Sequence, residues 1–465
     1  MIHVENNKDS LILSYVDDKK QISFVNLNVP ESERYQWVTC SEKEQYKDYT
    51  TWDKKPVKKK HIGLLNKVRT QEYLHFSISE EQKTRIFNYD NLPKMYFVDI
   101  ETEIKYGFPD SKNPVNAITS ISMVDEAGKC MVLGLKDLTN LEIQKIEDDI
   151  KQYLNGHDVD VVFDYKKFES EENMLSTFLA KFLRKFPCVT GWNFVDFDWS
   201  YISARCNFLG IDPSICSPTG TLDWYGFPKH KIIFDYLIEL KDPSSGLSDK
   251  SSMRLDAVAE NELKLKKVQY SGTLDELYAN DFSKFIMYNA IDSYLVMLLD
   301  RKFKAFNTIY KLMELTHVEF GRTSPIPMWE NLVLNYLFPK HIVSATENNG
   351  VKTKKTKKSI AGGYVKAPVT GFHKNIACYD YASLYPSIIR QFNISPDVYL
   401  GQSNQLDKEQ INANIACESG AVFQKDKDGF YRTIITDVYM KRKYQKKLAH
   451  KIDIEIDRLQ KLKNK

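Results

Sequence analysis

The chain of 465 residues lacks long apolar runs, paired cysteine motifs and any strong excess of charge. No apolar segment approaches the ~20 residues of a membrane-spanning helix, and the polar N-terminus lacks the apolar core of a signal peptide. Its seven cysteines form no C-x-x-C pair, and no paired histidine spacing suggests zinc. We therefore expect reduced thiols in a cytoplasmic protein (the host cytoplasm if the chain is viral) that has no membrane partner.

The net charge is only +3, but the lysines are unevenly distributed. They cluster at residues 54–60, 352–358 and 441–447. A single lysine run is usually a solvated face of the protein. Three such runs in a chain with 27 tyrosines and 25 phenylalanines favour a polyanionic partner such as nucleic acid.

The middle of the chain, from about residue 95 to 315, predicts a mixed sheet flanked by helices. It opens with the strand MYFVDIETE, continues with a hairpin that turns at residues 126–128, and then alternates strands with helical patterns. Residues 1–92 alternate short apolar runs with charged turns and predict a small mixed N-terminal domain. The fold class expected from these patterns is α/β, in the mixed α+β sense.

The last third of the chain predicts three further features. A helical pattern begins at SPIPMWENLVLNYLF and extends to Gly350. The stretch CYDYASLYPSII predicts a buried strand that delivers Asp380 to a turn, followed by a helix. From Val438 onward the pattern is one long charged helix with an apolar stripe.

Acidic residues in apolar settings are the strongest chemical signal. Asp99 and Glu101 alternate along one strand, so both face the same side of the sheet. Asp198 follows another strand, and Tyr288 and Asp292 share one face of a helix. Because burying unpaired carboxylates is costly, a converging group of them indicates divalent cations, and oxygen ligands suit Mg²⁺ or Mn²⁺.

A pair of such cations is suited to hydrolysis of a phosphodiester. One ion would activate a water, the other would stabilise the leaving oxygen, and a tyrosine hydroxyl can orient the attacking water. The alternative is that Asp99 and Glu101 are solvent residues of an edge strand and that Tyr288 is a packed aromatic. For any one pair the two interpretations are about equal, whereas the complete ordered set favours the metal site.

Several of these stretches resemble motifs of the family B DNA polymerases, especially the replicative members found in large tailed bacteriophages. The segments at 99–101 (DIE), 193–198 (N-x-x-x-F-D) and 288–292 (Y-x-x-x-D) resemble the family's exonuclease motifs, and DYASLYPSIIR resembles its first palm motif. The likeness covers nearly all of the chain beyond residue 93. It implies a ribonuclease H-like exonuclease domain and two Mg²⁺ or Mn²⁺ ions in each active site. The implied exonuclease metal ligands are Asp99, Glu101, Asp198 and Asp292, with Tyr288 positioning the water.

The resemblance also implies the domain boundaries. We expect an N-terminal domain at 1–93 and a proofreading 3′→5′ exonuclease domain at 94–320. The N-terminal part of the palm would follow at 321–436, and the first fingers helix at 437–465.

A polymerase half-site is implied in the palm and fingers segments. Asp380 would bind the polymerase metal ions, and Tyr385 would be the steric gate that selects deoxynucleotides. The alternative for Tyr385 is a buried aromatic beneath a helix, and without the family the run KRKYQKK would be interpreted as a solvated face. The implied nucleotide-binding residues are Ser383, Leu384, Tyr385, Arg442 and Lys446.

A glycine pair before the palm resembles the family's Tyr-x-Gly-Gly loop. Gly362 and Gly363 would allow the backbone to approach a DNA strand closely. Ile360 stands where the family has its tyrosine, so no tyrosine contact is implied. The segment between Ser217 and Phe234 is also shorter than its family counterpart, so we expect a reduced strand-separating hairpin.

The sequence lacks the family's later fingers motif, Asn-Ser-x-Tyr-Gly, and its palm hairpin, Tyr-Gly-Asp-Thr-Asp. One aspartate cannot hold two mutually repelling Mg²⁺ ions, so we expect a split or truncated polymerase. A second chain would supply the rest of the fingers, palm and thumb, and a sliding clamp would be reached through that chain. The expected substrates are primer–template DNA, single-stranded DNA and dNTPs. The alternatives are a stand-alone 3′→5′ exonuclease whose palm remnant grips DNA, and an idle scaffold, which the intact carboxylate set argues against.

Overall fold

The computed structural model describes residues 1–7, 9–241, 252–346 and 365–463. Gly362, Gly363 and the lysine run at 352–358 lie outside the described residues. Two compact units are present, and each joins segments that are distant in sequence. The first consists of Met1–Val29 and Ile78–Met328, and the second of Pro30–Ser77 and Trp329–Lys465. The domain boundaries given above remain predictions.

The strands and helices have the following bounds. The strands are β1 (His3–Asn6), β2 (Ser10–Val16), β3 (Ile22–Asn28), β4 (Tyr35–Thr39), β5 (Val57–His61), β6 (Met95–Thr102), β7 (Ile118–Asp125), β8 (Lys129–Gly134), β9 (Val162–Lys167), β10 (Cys188–Gly191), β11 (Ile232–Asp235), β12 (Tyr399–Gln402), β13 (Ile415–Ala416) and β14 (Ala421–Phe423). The helices are α1 (Lys67–Phe76), α2 (Glu80–Ile86), α3 (Asn140–Tyr153), α4 (Glu171–Thr177), α5 (Ser200–Phe208), α6 (Tyr236–Lys241), α7 (Leu255–Leu263), α8 (Leu274–Asn280), α9 (Phe282–Phe303), α10 (Ala305–Thr316), α11 (Pro325–Leu337), α12 (Leu384–Phe392), α13 (Lys408–Ala413) and α14 (Phe430–Lys463).

The first unit contains a six-stranded mixed sheet, as the sequence predicts. Its strand order is β11-β10-β6-β7-β8-β9. The β6, β7 and β8 strands pair antiparallel, while β10 runs parallel to both β6 and β11, and β9 runs parallel to β8. A separate three-stranded antiparallel sheet, β1-β2-β3, belongs to the same unit.

The hairpin between β7 and β8 forms where it was predicted. The Asp125 side chain accepts hydrogen bonds from the backbone N–H groups of Ala127 and Lys129, each at 3.0 Å. Gly128 takes a positive φ of 101°, which glycine adopts without a steric penalty. This turn fixes the register of the two central strands.

Helices cover both faces of the central sheet. On one face, Phe97 of β6 packs in a cluster with residues of α3, α7 and α9. On the other face, Val98 and Ile100 pack with residues of α4 and α5. Because side chains alternate along a strand, Asp99 and Glu101 lie on the same face as Phe97, the face that α9 covers. All eight residues of β7 are buried, as expected for a strand covered on both sides.

The second unit is built on smaller elements. The strands β4 and β5 pair antiparallel, and Trp37 of β4 donates its indole N–H to Glu72 of α1 at 3.1 Å. The strands β12, β14 and β13 form a small antiparallel sheet. The helix α12 packs on α14, where Arg390 donates to the Thr436 hydroxyl at 3.2 Å and lies 4.5 Å from the Tyr439 ring centre.

Three local predictions in the second unit are wrong. The predicted strand at 377–381 does not form, and Ile376, Tyr379 and Tyr381 are each more than three quarters exposed. A strand needs a neighbouring backbone to pair with, and no strand in the described ranges pairs with this segment. The helix predicted to reach Gly350 ends at Leu337, followed by a 3-10 turn that contains a proline.

The third correction concerns the long C-terminal helix. The α14 helix begins at Phe430 rather than at Val438. Its first N–H groups are bound from outside the helix, because Asp397 accepts from Phe430 at 3.3 Å and Ser395 accepts from Tyr431 at 3.2 Å. Satisfying these N–H groups stabilises the early start of the helix.

Within the described ranges, no helix is both long and apolar enough to cross a bilayer.

Candidate metal centre

Three predicted carboxylates converge between β6 and α9. Asp99, Glu101 and Asp292 each offer a ligand oxygen, and these oxygens all lie within 4.8 Å of one another. Asp99 and Glu101 come from alternate positions of β6, and Asp292 comes from the middle of α9. The period of two along the strand aims both acidic side chains at the helix that covers that face. Asp292 is buried, and the other two are partly exposed.

Asp198 lies next to this group but outside it. Its side chain is buried, and its Oδ1 accepts the backbone N–H of Ile100 at 3.1 Å. Asp198 belongs to a short π-helical turn, Val195–Trp199, and π-helical turns are frequent at functional sites. The charge of Asp198 contributes to raising the pKa of Asp99, so the two carboxylates are electrostatic neighbours.

The four carboxyl groups resist ionisation in the absence of a cation. Burial, and then the charges of Asp198 and Glu101, raise the pKa of Asp99 well above its usual value. Burial and the nearby charge of Asp292 raise the pKa of Glu101 to about 8. Burial likewise raises the pKa of Asp198 to about 8, and it raises that of Asp292. A divalent cation removes this conflict, because it favours the charged carboxylates.

One atom of the group independently fits a cation. The Oδ1 of Asp292 is buried and accepts no hydrogen bond within the described part of the chain. Buried polar atoms without partners are rare in native proteins, and a cation bound at this oxygen would satisfy it. The donor set consists only of carboxylate oxygens, which suits Mg²⁺ or Mn²⁺.

Lys267 belongs to the same site, although no sequence pattern indicates it. Its ammonium lies 2.8 Å from Asp292 Oδ2 and 4.5 Å from the centre of the Tyr288 ring. Although burial opposes its charge, the neighbouring Asp292 raises the pKa of Lys267. Lys267 lies in LKLKKVQ, a run in which no local feature distinguishes one lysine from the others.

Tyr288 lies one turn before Asp292 on α9, as predicted from the sequence. Its side chain is buried, and its ring meets that of Tyr270 edge to face at 5.4 Å. Burial, followed by the charges of Asp292 and Glu101, raises the pKa of the Tyr288 phenol. The hydroxyl therefore keeps its proton at neutral pH and can donate a hydrogen bond.

An exposed aromatic ring lies beside the turn that carries Asp198. Phe108 is 83% exposed, and its ring centre lies 6.1 Å from that of Phe197, the residue before Asp198. The loop that carries Phe108 is anchored by the Arg205 guanidinium, which donates to the carbonyls of Pro114 and Val115 at 2.7 and 3.2 Å. An exposed ring on an anchored loop can stack on an unpaired base.

Arg205 is itself held by a buried ion pair. Its guanidinium donates to both carboxylate oxygens of Glu171, at 2.9 and 2.7 Å. Glu171 also accepts the backbone N–H of Ile118 at 2.7 Å, at the start of β7. The pair thus connects α4, α5 and the end of the Phe108 loop.

The segment between Ser217 and Phe234 contains a tight turn with an aromatic tip. The side chain of Asp223 accepts the N–H groups of Tyr225 and Phe227 at 2.8 and 2.9 Å. Trp224 and Tyr225 at the tip are 95% and 82% exposed. The reduced strand-separating hairpin expected in this segment remains a prediction.

The predicted polymerase residues lie in the second unit. Asp380 is exposed in the irregular segment before α12, and it belongs to no group of three carboxylates within the described ranges. Ser383 adopts a left-handed conformation, with φ at 54°, and Leu384 begins α12. Tyr385 is 77% exposed, so the alternative of a buried aromatic is wrong. Arg442 and Lys446 are exposed on α14.

Comparisons with known proteins match the two parts of the chain separately. The model of the DNA polymerase family B exonuclease domain matches residues 36–232, and the model of DNA polymerase family B matches residues 328–461. The two ranges together take in more than two thirds of the chain.

Curated relatives match 64–75% of the chain. The DNA-directed DNA polymerase of Escherichia phage RB69 is 28% identical over 382 residues, which are 75% of this chain and 41% of that protein. The DNA-directed DNA polymerase of Enterobacteria phage T4 is 28% identical over 322 residues, which are 64% of this chain and 35% of that protein. The DNA polymerase 1 of Sulfurisphaera ohwakuensis is 29% identical over 374 residues, which are 73% of this chain and 39% of that protein. The chain thus spans 35–41% of the length of these relatives, and it belongs to family B of the DNA polymerases, with that family's exonuclease domain.

Proposed function

We propose that this chain removes nucleotides from the 3′ end of DNA by metal-dependent hydrolysis and contributes the first part of a polymerase site. One observation carries the hydrolytic proposal. Asp99, Glu101 and Asp292 come from a strand and a helix about 190 residues apart and bring their oxygens within 4.8 Å of one another. The membership in family B supports DNA as the substrate.

The residues present fit a pair of Mg²⁺ or Mn²⁺ ions. Asp99, Glu101 and Asp292 would hold them, with Asp198 as the fourth carboxylate. When bound, such ions convert a water into a hydroxide-like nucleophile and stabilise the leaving oxygen. The neighbouring side chains have roles of their own. Tyr288 keeps its phenolic proton and would orient the attacking water.

Lys267 and Phe108 would act on the DNA. The Lys267 ammonium is charged and held at Asp292, so it can offset negative charge on a phosphate brought to the site. Phe108 would stack on a terminal base and hold it away from its former neighbour. The stacking contact needs an unpaired 3′ end, because a base inside a duplex offers no free face.

The preference for single strands provides the test. With Mg²⁺ or Mn²⁺, we expect the chain to shorten a 5′-labelled single-stranded oligonucleotide from its 3′ end about tenfold faster than a blunt duplex, and not at all with EDTA. Phe108→Ala should raise the KM for single-stranded DNA about fivefold, which corresponds to the loss of one weak stacking contact. Leu141→Ala, at an equally exposed apolar residue of α3, is the matched control. Equal rates on single strands and blunt duplex would contradict the proposal.

We further propose that a second chain completes the polymerase site. Asp380 stands apart from any carboxylate group in the described ranges, and one carboxylate cannot hold two divalent ions. The second chain would carry the remaining fingers, palm and thumb, and a sliding clamp would be reached through it. Primer–template DNA and dNTPs would be the substrates of the assembled polymerase. Gly362 and Gly363 would lie close to the DNA.

A stand-alone exonuclease is the second candidate, and one contrast favours it. Within the described ranges, the exonuclease carboxylates form a group, whereas the polymerase aspartate belongs to none. In that case the palm segment would only grip DNA. The two candidates differ in whether any added chain restores dNTP incorporation.

Tyr385 offers a test of the polymerase proposal. In an active two-chain assembly, Tyr385→Ala should lower the discrimination in kcat/KM against ribonucleotides by about tenfold or more, which is about 1.4 kcal/mol, because the ring would no longer exclude the 2′-hydroxyl. The measurement compares single incorporations of a dNTP and the matching rNTP. Tyr379→Ala, at another exposed tyrosine nearby, should leave the ratio unchanged. Unchanged discrimination in Tyr385→Ala would refute its assignment as the gate.

A further inference from the structure

A buried amide contacts one of the metal-centre carboxylates directly. Asn289 lies on α9 between Tyr288 and Asp292, and its side chain is fully buried. Its Nδ2 donates to Asp99 Oδ2 at 2.7 Å. A buried amide that donates to one oxygen of a carboxylate leaves the other oxygen for a cation.

The orientation of this amide is itself fixed from behind. The Ser120 hydroxyl on β7 donates to Asn289 Oδ1 at 3.0 Å. An ionised carboxylate can only accept hydrogen bonds, so the NH₂ group must face Asp99 and the carbonyl oxygen must face Ser120. The result is a directional chain of hydrogen bonds from β7 through α9 to β6.

The backbone at Asn289 is also held. The Ser122 hydroxyl donates to the Asn289 carbonyl at 2.9 Å, and it lies 2.5 Å from the Ser293 hydroxyl. These contacts tie α9 to β7; Ser122 also lies 3.5 Å from the backbone carbonyl of Asp99 but does not touch its carboxylate. The network therefore has two parts. Ser122 and Ser293 hold the helix on the sheet, whereas Ser120 and the Asn289 amide hold the Asp99 carboxylate.

We propose that Asn289, oriented by Ser120, is a positioning residue that fixes the Asp99 carboxylate for cation binding; this rests on the proposed exonuclease function. Asp99 is surrounded by three other carboxylates and would turn away from them if it were free. A neutral donor favours its charged form and holds its rotamer without competing as a cation. Partners that orient metal ligands in this way typically contribute 10- to 100-fold to metal affinity or activity.

The test measures binding of Mn²⁺ to the whole chain, by electron paramagnetic resonance of the free ion, alongside single-strand trimming. Asn289→Leu removes the hydrogen-bond donor and replaces the amide with an apolar side chain of similar size. We expect its Mn²⁺ affinity and its kcat to fall about tenfold or more, with the KM for single-stranded DNA unchanged because Asn289 does not reach DNA. Ser120→Ala leaves the amide free to turn, and we expect a fall of about threefold. The double variant should match Asn289→Leu, because the two residues act in series.

Ser293→Ala is the matched control, since it removes a buried hydroxyl of the same network that has no contact with Asp99. If Asn289→Leu does not fold, the test is the Mn²⁺ affinity of Ser120→Ala compared with that of Ser293→Ala, provided that the two variants have equal thermal stability. Equal Mn²⁺ affinities in Ser120→Ala and Ser293→Ala, or an unchanged affinity in a folded Asn289→Leu, would overturn the inference. A wild-type chain that neither binds Mn²⁺ nor trims DNA would overturn the proposed function as well. A wild-type chain that does both, beside an equally active Asn289→Leu, would overturn the positioning role alone.

Discussion

Replacing Asp99 and Glu101 together by alanine is expected to lower the rate of 3′ trimming by about three orders of magnitude or more, the scale of loss when groups that act as a unit are removed. The two side chains supply two of the three converging oxygens in the pocket, and without them no cation pair can be held. The measurement is single-turnover trimming of a 5′-labelled single strand at saturating Mg²⁺ or Mn²⁺.

The same double variant, although inactive, should be more stable than the wild type when no metal is bound. The pKa of Glu101 is raised from 4.5 to about 8 by burial and by Asp292, so the folded state binds this proton more tightly than the unfolded chain does. The stability of the metal-free protein must therefore decrease as the pH rises from about 4.5 to about 8, since the unfolded chain loses the proton first. In EDTA at about pH 8, the variant should melt at a higher temperature than the wild type, and the gap should shrink as the pH falls toward 4.5.

A second acidic pair in the same unit provides the control. Asp158 and Asp160 have the same one-residue spacing as Asp99 and Glu101, but both are exposed. Asp158→Ala/Asp160→Ala should trim at the wild-type rate. Comparable losses in both double variants, or substantial trimming in Asp99→Ala/Glu101→Ala, would contradict the assignment of the metal centre.

The carboxylates could be predicted because regular periods place them. A strand repeats every two residues and a helix about every four, so DIE and Y-x-x-x-D state which side chains share a face. The sheet and its flanking helices followed from the same periods and were confirmed. The hairpin at Gly128 was predictable from its two apolar strand segments and the glycine in the turn between them.

The supporting residues could not be predicted because their roles depend on distant partners. Asn289 contacts Asp99 across 190 residues and Ser120 across 169 residues of sequence. Lys267 approaches Asp292 from an irregular segment after α7, where no period indicates direction. Both residues would also be ordinary in another fold, since most buried asparagines and partly exposed lysines have structural roles.

The errors in the second unit have the same origin. The apolar, β-prone segment at 377–381 satisfies every local rule for a strand, yet pairing is a property of two segments. The start of α14 is set by Ser395 and Asp397, which lie 36 and 33 residues before the N–H groups that they accept. Local sequence could indicate what these segments favour, but their partners decide what they form.

The second large effect concerns Asp380 in a two-chain assembly with a polypeptide that carries the family's Asp-Thr-Asp hairpin. We expect Asp380→Ala to abolish dNTP incorporation, because it removes the carboxylate that we propose this chain contributes to the polymerase ions. Trimming should persist at the wild-type rate, since Asp99, Glu101 and Asp292 belong to the other compact unit. The measurement is primer extension and single-strand trimming by the same assembly.

The two active-site variants should therefore dissociate the activities in opposite directions. Asp99→Ala/Glu101→Ala should extend primers without trimming, and Asp380→Ala should trim without extending. Asp426→Ala removes an exposed aspartate of the same unit as Asp380 and should preserve both activities. Extension that survives Asp380→Ala would refute the palm assignment. Failure of every added chain to restore extension would leave the exonuclease as the sole activity, because one carboxylate without a partner cannot hold two divalent ions against their mutual repulsion.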